Sequence, residues 1–281
     1  MTKHDLNRQD FKTLLPIPTG LGPDGKLEEK VRCILFDVYG TLFISGSGDI
    51  SMARKQSQQT QDLETLLDKY QINKNPQTIL NELFFAIDSE HERLKKKGRD
   101  FPEVEIDQVW MRLLDIGGLD TVRKFAVEFE LIVNPVYPMP NLEKMLSVCK
   151  HSNVLMGIIS NAQFFTPYLF NWFFDSTPES LGFNSHLIFY SYKFGHAKPS
   201  TVMFDLAAKQ LDRMSMAKHS VLYIGNDMLN DIYPAKKVGF KTALFAGDAR
   251  SLRLRESNPK CKNLSADIII TDLVQIIDLI S

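Results

Sequence analysis

The sequence predicts an α/β fold in which a doubly wound parallel sheet carries an inserted, all-helical domain. Three observations support this prediction. Residues 31–36 form a short, largely apolar run that is typical of a buried parallel strand. After residue 136 the chain alternates short apolar runs with amphipathic helical patterns, which is typical of a sheet covered on both faces. Residues 49–135 contain four helical patterns and no strand pattern.

The division of the chain into units follows from these patterns. The first thirty residues are rich in proline and glycine and have no sustained period, so we expect an extended arm. Two segments suited to be hinges, Ser45–Gly48 and Asn134–Pro140, connect the helical insert to the rest. The predicted units are an arm at residues 1–30, an α/β body at residues 31–48 plus 136–281, and a helical cap at residues 49–135.

Composition and charge favour a cytoplasmic protein without nucleic-acid or membrane partners. The formal net charge is −1 over 281 residues, so no global field favours a polyanion or a lipid surface. The three cysteines are widely spaced and form no Cys-x-x-Cys pair, which favours a reducing compartment without structural zinc or disulfides. The apolar stretch at residues 268–280 is interrupted by acidic residues and is too short to span a bilayer.

Each predicted cap helix carries one apolar stripe, so we expect the four stripes to be buried against one another. The second cap helix opens with Asn75 and Pro76, an N-cap residue followed by proline at the first helical position. His91 falls on the apolar stripe of that helix, which favours a packed side chain over a ligand. The predicted body strands are Val31–Phe36, Val154–Ile159, Leu187–Tyr190, Val221–Ile224, Thr242–Phe245 and Ile268–Ile270.

The first predicted strand delivers a carboxylate, that of Asp37, at its carboxyl end. Gly40 follows three residues later, where the chain must turn sharply. Ligands of open α/β sheets bind at the carboxyl ends of strands, so Asp37 is placed as a nucleophile or a metal ligand. An aspartate that only caps a turn is the alternative.

Three later positions in the α/β pattern also carry polar groups. Ser160 and Asn161 directly follow a strand, where an anionic oxygen could be held, although such a pair is often only a turn. Lys198 precedes Pro199 and a helical pattern. Asp227 and Asp231 follow another strand, and such acids either cap a helix or supply the hard oxygen ligands that suit Mg²⁺.

These residues resemble the four motifs of the haloacid dehalogenase (HAD) superfamily, whose members form a covalent aspartyl intermediate. Phe-Asp-Val-Tyr-Gly-Thr-Leu at residues 36–42 is similar to the first motif. The resemblance implies a Rossmann-like body with a helical, C1-type cap. It also implies the further motifs in order: Ser160 with Asn161, Lys198 with Pro199, and Asp227 with Asp231.

The resemblance also implies a role for each residue. The catalytic residues would be Asp37 as the nucleophile, Tyr39, Thr41, which would orient the nucleophile, and Lys198, which would supply fixed positive charge. Ser160 and Asn161 would hold phosphoryl oxygens. The ligands of Mg²⁺ would be Asp37, Tyr39, Asp227 and Asp231. Because the usual Gly-Asp start of the fourth motif is Gly-Asn-Asp here, Asp227 is expected to be the main ligand, with Asp231 behind it.

Tyr39 departs from the phosphatase pattern of the family. Family phosphatases place a second aspartate two residues after the nucleophile, where it protonates the leaving group and later activates water. A tyrosine, whose reference pKa is about 10, is a poor base at neutral pH. The family's 2-haloacid dehalogenases carry tyrosine at this position, and their halide leaving group needs no proton.

The acids of the fourth motif favour a phosphatase, because a carboxylate that attacks a phosphate dianion needs charge neutralisation. The first hypothesis is therefore a Mg²⁺-dependent phosphatase that acts on a small, anionic phosphorylated metabolite. If Tyr39 must replace the acid, good leaving groups should be favoured. The alternatives are a metal-independent 2-haloacid dehalogenase and a non-catalytic protein that binds a phosphorylated metabolite.

Overall fold

The sheet at the centre of the protein confirms the predicted α/β architecture. The structure is a computed structural model that describes residues 6–47 and 58–280. Its strands are β1 Asp24–Gly25, β2 Cys33–Phe36, β3 Phe43–Ser45, β4 Val136–Pro138, β5 Leu155–Ser160, β6 Phe183–Tyr190, β7 Val221–Gly225, β8 Lys241–Phe245 and β9 Ile268–Ile270. Seven of them form one sheet in the order β1-β9-β8-β7-β2-β5-β6. Every pair in it is parallel except β1 with β9.

Strand β2 lies in the middle of this sheet, between β5 and β7. Phe36, its last residue, is in register with Ile158 and Ile224 of the two neighbours. Alternate residues of β2 are buried on opposite faces, since Ile34 and Phe36 belong to one apolar core and Leu35 belongs to the other. The sheet is therefore covered on both faces, and the polar residues after β2, β5 and β7 emerge at the same edge.

Helices cover the sheet and form the insert. They are α1 Gln58–Lys69, α2 Pro76–Lys95, α3 Ile106–Leu113, α4 Leu119–Val133, α5 Leu142–His151, α6 Tyr168–Phe174, α7 Ser191–Phe194, α8 Val202–Arg213, α9 Tyr233–Val238 and α10 Ile277–Ile280. The predicted cap of Asn75 is present, because its side-chain oxygen accepts a hydrogen bond from the Thr78 amide at 2.8 Å. None of the helices described here is both long and apolar enough to cross a membrane; the cytoplasmic location stays a prediction.

The helices α1 to α4 pack against one another, as their stripes predict. An aromatic cluster joins α3 to α4, where the Trp110 ring lies 5.0 Å from that of Phe125 and 4.8 Å from that of Phe129. The division into a body and a cap at residue 48 stays a prediction, because that boundary and the hinge residue Gly48 lie outside the described residues.

The chain that leads into the first predicted hinge pairs with the second hinge segment as an antiparallel ribbon. Strands β3 and β4 pair with Ser45 opposite Val136 and Phe43 opposite Pro138. The prolines of the second segment argue against a strand in sequence terms, but Pro138 lies at the end of an isolated two-stranded ribbon, where few ladder hydrogen bonds are needed. The connections into and out of the helical insert therefore run side by side.

The arm before β2 is bound along much of its length to the body. The Phe11 ring lies 4.4 Å from that of Phe173 on α6. The Ile17 amide donates to Asp248 Oδ1 at 3.2 Å, and the Ala249 amide donates to the Ile17 carbonyl at 2.8 Å. These contacts give the arm a structural role that the sequence did not reveal, and its description as a separate extended unit stays a prediction.

Phe11→Ala is expected to lower the free energy of unfolding by about 1–2 kcal/mol, less than the ~3–5 kcal/mol of a fully buried phenylalanine. The side chain is half-buried and contacts the α6 aromatic residues. Urea unfolding followed by circular dichroism measures the change. Leu15→Ala is the control, because that side chain is 75% exposed and its loss should change stability by less than about 0.5 kcal/mol. Equal stability of the two variants would contradict the proposed anchoring.

Candidate active site

A buried lysine joins two of the predicted carboxylates. Lys198 Nζ lies 2.8 Å from Asp37 Oδ1 and 2.5 Å from Asp231 Oδ1. The Lys198 side chain is only 2% exposed, so its charge requires these partners. Burial opposes the charged form, but Asp231 and Asp37 together raise the pKa of Lys198 above its ordinary value. The predicted convergence of these three residues is thus present.

Asp231 is buried more deeply than Asp37. Its Oδ2 accepts a hydrogen bond from the Asp227 amide at 2.9 Å. Burial raises the pKa of Asp231, and the ammonium of Lys198 opposes that rise. Gly225 packs directly against this carboxyl group, so that a Cβ at position 225 would lie 2.6 Å from the Asp231 Cβ. The glycine that ends β7 therefore makes room for the buried acid.

Tyr223 is a residue of this cluster that the sequence did not identify. Its hydroxyl accepts a hydrogen bond from Lys198 Nζ at 3.2 Å. The same hydroxyl lies 2.9 Å from both Asp231 Oδ1 and the Ile159 carbonyl, and it can donate to either. Burial raises the pKa of Tyr223, so the phenol stays protonated. Because Tyr223 lies within an apolar strand, no sequence pattern distinguishes it from a core residue.

The turn after β2 brings Asp37 and Asn226 to one place. Thr41 is fully buried and donates to Asn226 Oδ1 at 3.2 Å, so in this structure Thr41 orients Asn226. Its predicted role in orienting Asp37 stays a prediction. Gly40 has φ +79°, and a Cβ there would lie 2.5 Å from the Ser251 Cβ. The turn therefore requires glycine, as the motif predicts.

Asn161 and Ser160, the two predicted phosphate-binding residues, have different hydrogen-bond partners. The Asn161 side chain brackets the Lys198 backbone, accepting from its amide at 2.6 Å and donating to its carbonyl at 3.3 Å. Ser160 is fully buried and donates to the Asn161 carbonyl at 3.2 Å. Asn161 thus positions Lys198, and the role of both residues in binding phosphoryl oxygens stays a prediction.

These groups line one cavity of about 410 Å³. Lys198 and one oxygen of Asp37 are paired, but Asp37 Oδ2 has no hydrogen bond or ion pair with any described residue. The wall opposite is contributed by the helical insert and the ribbon. The polar side chains that line the cavity include Asp37, Tyr39, Asn161, Gln163, Lys198, Asn226, Asp227, Asp231, Ser251, Arg253 and Arg255 from the body, and His91, Glu103, Glu130 and Asn134 from the insert.

Comparison with known proteins supports the resemblance seen in the motifs. The family model for HAD-hydrolase-like proteins matches residues 196–275, which contain Lys198, Asp227 and Asp231. The carboxyl-terminal part of the α/β body is therefore similar to HAD-like hydrolases. A ribulose-1,5-bisphosphate 5-phosphatase of Halopiger xanaduensis is 33% identical over 105 residues, which are 37% of this chain and 43% of that protein. The match therefore spans less than half of the relative.

Solved structures of HAD proteins share the fold over nearly the whole chain. A 2-haloacid dehalogenase from Pseudomonas syringae has a TM-score of 0.53 at 17% identity, covering 89% of this chain and 97% of its own. A HAD phosphatase from Thermococcus onnurineus has a TM-score of 0.54 at 14% identity, covering 89% and 98%. Both kinds of enzyme thus have the fold found here, and the fold does not distinguish between them.

Tyr39, where the chain departs from the phosphatase form of the first motif, lines the cavity. Its hydroxyl lies 3.0 Å from Thr166 Oγ1. Burial raises the pKa of Tyr39 far above its ordinary value, and the charge of Glu130 adds to the rise. The phenol therefore stays protonated at neutral pH and cannot act as a base. With its side chain engaged, Tyr39 could contribute only its backbone carbonyl to a metal ion.

Asp227, the expected main ligand, is occupied by other partners. Arg255 Nη2 lies 2.6 Å from Asp227 Oδ2, and Arg255 Nε lies 3.1 Å from both carboxylate oxygens. The amides of Leu229 and Asn230 donate to Asp227 Oδ1 at 2.8 and 3.2 Å. Asp227 thus caps the π-helical turn Met228–Ile232, and this geometry does not favour direct ligation of an ion. Its metal role stays a prediction.

Two other residues of the cavity lining carry the kind of oxygen atom that Mg²⁺ takes as a ligand. Residues 6–47 and 58–280 contain no group of three or more His, Cys, Asp or Glu side chains suited to hold a metal. However, Mg²⁺ typically takes one or two carboxylates and keeps several waters. Asp37 Oδ2 and Asn226 Oδ1 are hard oxygen atoms on the same cavity, and Asn226 stands where the family usually has aspartate. These two residues would hold the ion.

Several lining residues were not predicted from the sequence. Arg253 and Arg255 lie in an irregular stretch more than twenty residues after the fourth motif, and no pattern marks them. Glu130 had a signal: it lies four residues after Ala126 on the apolar stripe of α4, where an acid is unexpected. His91, which we expected to be packed, lines the cavity, and its Nε2 is buried without a described hydrogen-bond partner.

Proposed function

We propose that this protein is a HAD-like phosphatase that hydrolyses a small phosphorylated metabolite through an aspartyl intermediate formed on Asp37. The observation that carries the proposal is the state of that carboxylate. One oxygen is fixed by Lys198 at 2.8 Å, whereas the other has no partner among the described residues, and Asp37 lines the cavity. A nucleophile that is held at one atom and accessible at the other is suited to attack a bound substrate.

Asp37 would attack the phosphorus atom and displace the alcohol of the substrate. Lys198 would balance the negative charge of the carboxylate and the phosphoryl group, since its ammonium is fixed between Asp37 and Asp231. Asn161 and Tyr223 would keep Lys198 in place. A Mg²⁺ ion held by Asp37 and Asn226 supplies further neutralisation of phosphate charge.

The substrate class is supported by the cavity and by the relative from Halopiger xanaduensis. A volume of about 410 Å³ suits a small metabolite. The relative's name describes hydrolysis of a phosphate ester from a sugar bisphosphate. Arg253 lies on the cavity and pairs with no carboxylate of the described residues, so it can meet a second anionic group of the substrate.

A metal-independent 2-haloacid dehalogenase is the second candidate, and Tyr39 is the observation that favours it. Halide leaves without a proton, so that reaction needs no acid beside the nucleophile. The Tyr39 hydroxyl is engaged by Thr166 and is no substitute for a carboxylic acid. A metal site at Asp37 and Asn226 would favour the phosphatase, because carbon–halogen cleavage needs Asp37 as a nucleophile but needs no metal ion.

A screen of small phosphorylated metabolites, with Mg²⁺ and with EDTA, tests the proposal. We expect release of inorganic phosphate that requires Mg²⁺. The same protein is assayed for halide release from 2-chloropropionate in EDTA. Halide release without phosphate release would reject the phosphatase in favour of the dehalogenase, and phosphate release that persists in EDTA would reject the magnesium requirement alone.

A further inference from the structure

We propose that Glu130, on helix α4 of the insert, is the general acid and base of this site. The inference rests on the proposed phosphatase function. It assigns to the insert the task that HAD phosphatases give to an aspartate two residues after the nucleophile, the position that Tyr39 holds here.

The body offers no replacement for that aspartate. The Tyr39 hydroxyl is bound to Thr166 Oγ1, which also accepts a hydrogen bond from the Gln163 amide at 3.1 Å. Asp231 is held by Lys198, and Asp227 is held by Arg255. Hydrolysis of an alkyl phosphate nevertheless needs a proton for the leaving alkoxide and a base for the attacking water. The group that supplies them must come from the other wall of the cavity.

Glu130 lies on that wall, with Asp37 on the same cavity. Asn134 Nδ2 donates to Glu130 Oε1 at 3.1 Å, and Asn134 Oδ1 accepts from Ser45 Oγ at 2.8 Å and from the Ser47 amide at 3.2 Å. Glu130 is therefore fixed, through Asn134, to the ribbon that leads back to the nucleophile turn. Its Oε2 has no hydrogen-bond partner among the described residues, which leaves that atom for a substrate or a water molecule.

The other acid on this wall, Glu103, is fully engaged. Its Oε2 accepts from Ser191 Oγ at 2.6 Å, and its Oε1 accepts from the Val104 amide at 3.1 Å and from Gln163 Nε2 at 3.3 Å. Glu103 thus anchors the insert to the body. Glu130 is the acid with an unengaged oxygen, and this difference makes Glu103 a matched control.

The environment of Glu130 suits proton transfer near neutral pH. Burial raises its pKa to about 7, against the opposing hydrogen bond from Asn134. The other titratable or charged groups around the cavity are Asp37, Tyr39, Lys198, Asp227, Asp231, Arg253 and Arg255 of the body, and His91 and Glu103 of the insert. Burial lowers the pKa of His91, so at neutral pH its imidazole carries no charge that would depress the pKa of Glu130. A general acid and base is most effective with a pKa near the working pH.

The proposed steps balance as follows. Asp37 forms a bond to phosphorus while the bond from phosphorus to the ester oxygen breaks, and protonated Glu130 gives its proton to that oxygen, releasing the alcohol. Glu130, now a carboxylate, takes a proton from a water molecule. The resulting hydroxide attacks the phosphorus of the aspartyl phosphate, the bond to Asp37 breaks, and inorganic phosphate leaves.

The test compares Glu130→Gln with the wild type on two substrates, propyl phosphate and p-nitrophenyl phosphate. Glutamine keeps the hydrogen bond from Asn134 but has no proton to give. We expect kcat/KM for propyl phosphate to fall by about 10²- to 10⁴-fold. Nitrophenolate leaves without protonation, so the rate of its release in the first turnover should remain close to that of the wild type. Because hydrolysis of the intermediate is slow in Glu130→Gln, the aspartyl phosphate should accumulate and be detected by intact-mass spectrometry. The wild-type kcat/KM for propyl phosphate should decrease above about pH 7, and this decrease should be absent in Glu130→Gln.

Glu103→Gln controls for a merely structural effect. This variant should change kcat/KM by the same factor for both substrates, and it should leave the shape of the pH profile unchanged. An equal loss of kcat/KM on both substrates in Glu130→Gln, or an unchanged kcat/KM with propyl phosphate, would overturn the role of Glu130 while leaving Asp37-dependent phosphate release intact. No phosphate release by the wild type from either ester would instead overturn the proposed function, and the role of Glu130 with it.

Discussion

Asp37→Asn is expected to lower kcat for phosphate release by about 10⁴-fold or more. The amide has nearly the shape of the carboxylate, but it carries no charge and cannot form the acyl phosphate. The effect follows from the position of Asp37, at the end of the central strand and in contact with Lys198 at 2.8 Å. Steady-state phosphate release and intact-mass detection of the phosphoenzyme measure it.

The control for this variant is Asp212→Asn, an exposed aspartate on α8 away from the cavity, which should leave kcat unchanged. The wild type should gain the mass of one phosphoryl group during turnover, and Asp37→Asn should not. Turnover within tenfold of wild type would reject the aspartyl mechanism. Ligand binding without turnover, unaffected by Asp37→Asn, would indicate the non-catalytic alternative instead.

Lys198→Met is expected to remove activity and to lower the free energy of unfolding by about 3–5 kcal/mol at neutral pH. Methionine fills a similar volume, but it leaves Asp37 and Asp231 buried near each other without a cation. Protonation of Asp231 relieves this repulsion. Because the pKa of Asp231 is raised in the folded state, the destabilisation is present above that pKa and becomes smaller as pH falls through it.

Urea unfolding of Lys198→Met and wild type at about pH 5 and about pH 8 measures the destabilisation and its pH dependence. The difference in the free energy of unfolding should be larger at the higher pH. Lys209→Met is the matched control, since Lys209 is exposed on α8 and has no carboxylate partner among the described residues. It should change stability by less than about 0.5 kcal/mol at either pH. A Lys198→Met protein as stable as wild type would show that the two carboxylates have another source of compensation.

The part of the site that the sequence predicted is the part built from short segments of regular structure. An apolar strand fixed the place of Asp37, and the alternation of strands and helices brought Lys198 and Asp231 to the same edge of the sheet. Such patterns depend on local periodicity and on the rule that parallel strands end together.

The remaining features depend on contacts between distant segments, which periodicity does not encode. Arg255 pairs with Asp227 from a position twenty-eight residues later in the chain, and this pairing restricts what Asp227 can bind. The Gly-Asn-Asp sequence favours Asp227 as the ligand, but that acid caps a helical turn, which no sequence pattern indicates. The sequence does not predict helix α6, because apolar and aromatic residues occupy almost every position of it and no single apolar stripe marks a helical period.

The short antiparallel pairing of β1 with β9 bears on the solubility of shortened forms of this protein. Strand β9 is Ile-Ile-Ile, and Asp24 and Gly25 lie against its outer side, with Asp24 opposite Ile269. An uncovered strand of three isoleucines presents free amides and carbonyls that invite pairing with another molecule. By pairing with β9, the arm covers this edge of the sheet. A chain shortened to begin at β2 would expose the edge and is expected to aggregate more readily, although it keeps every residue of the proposed catalytic site.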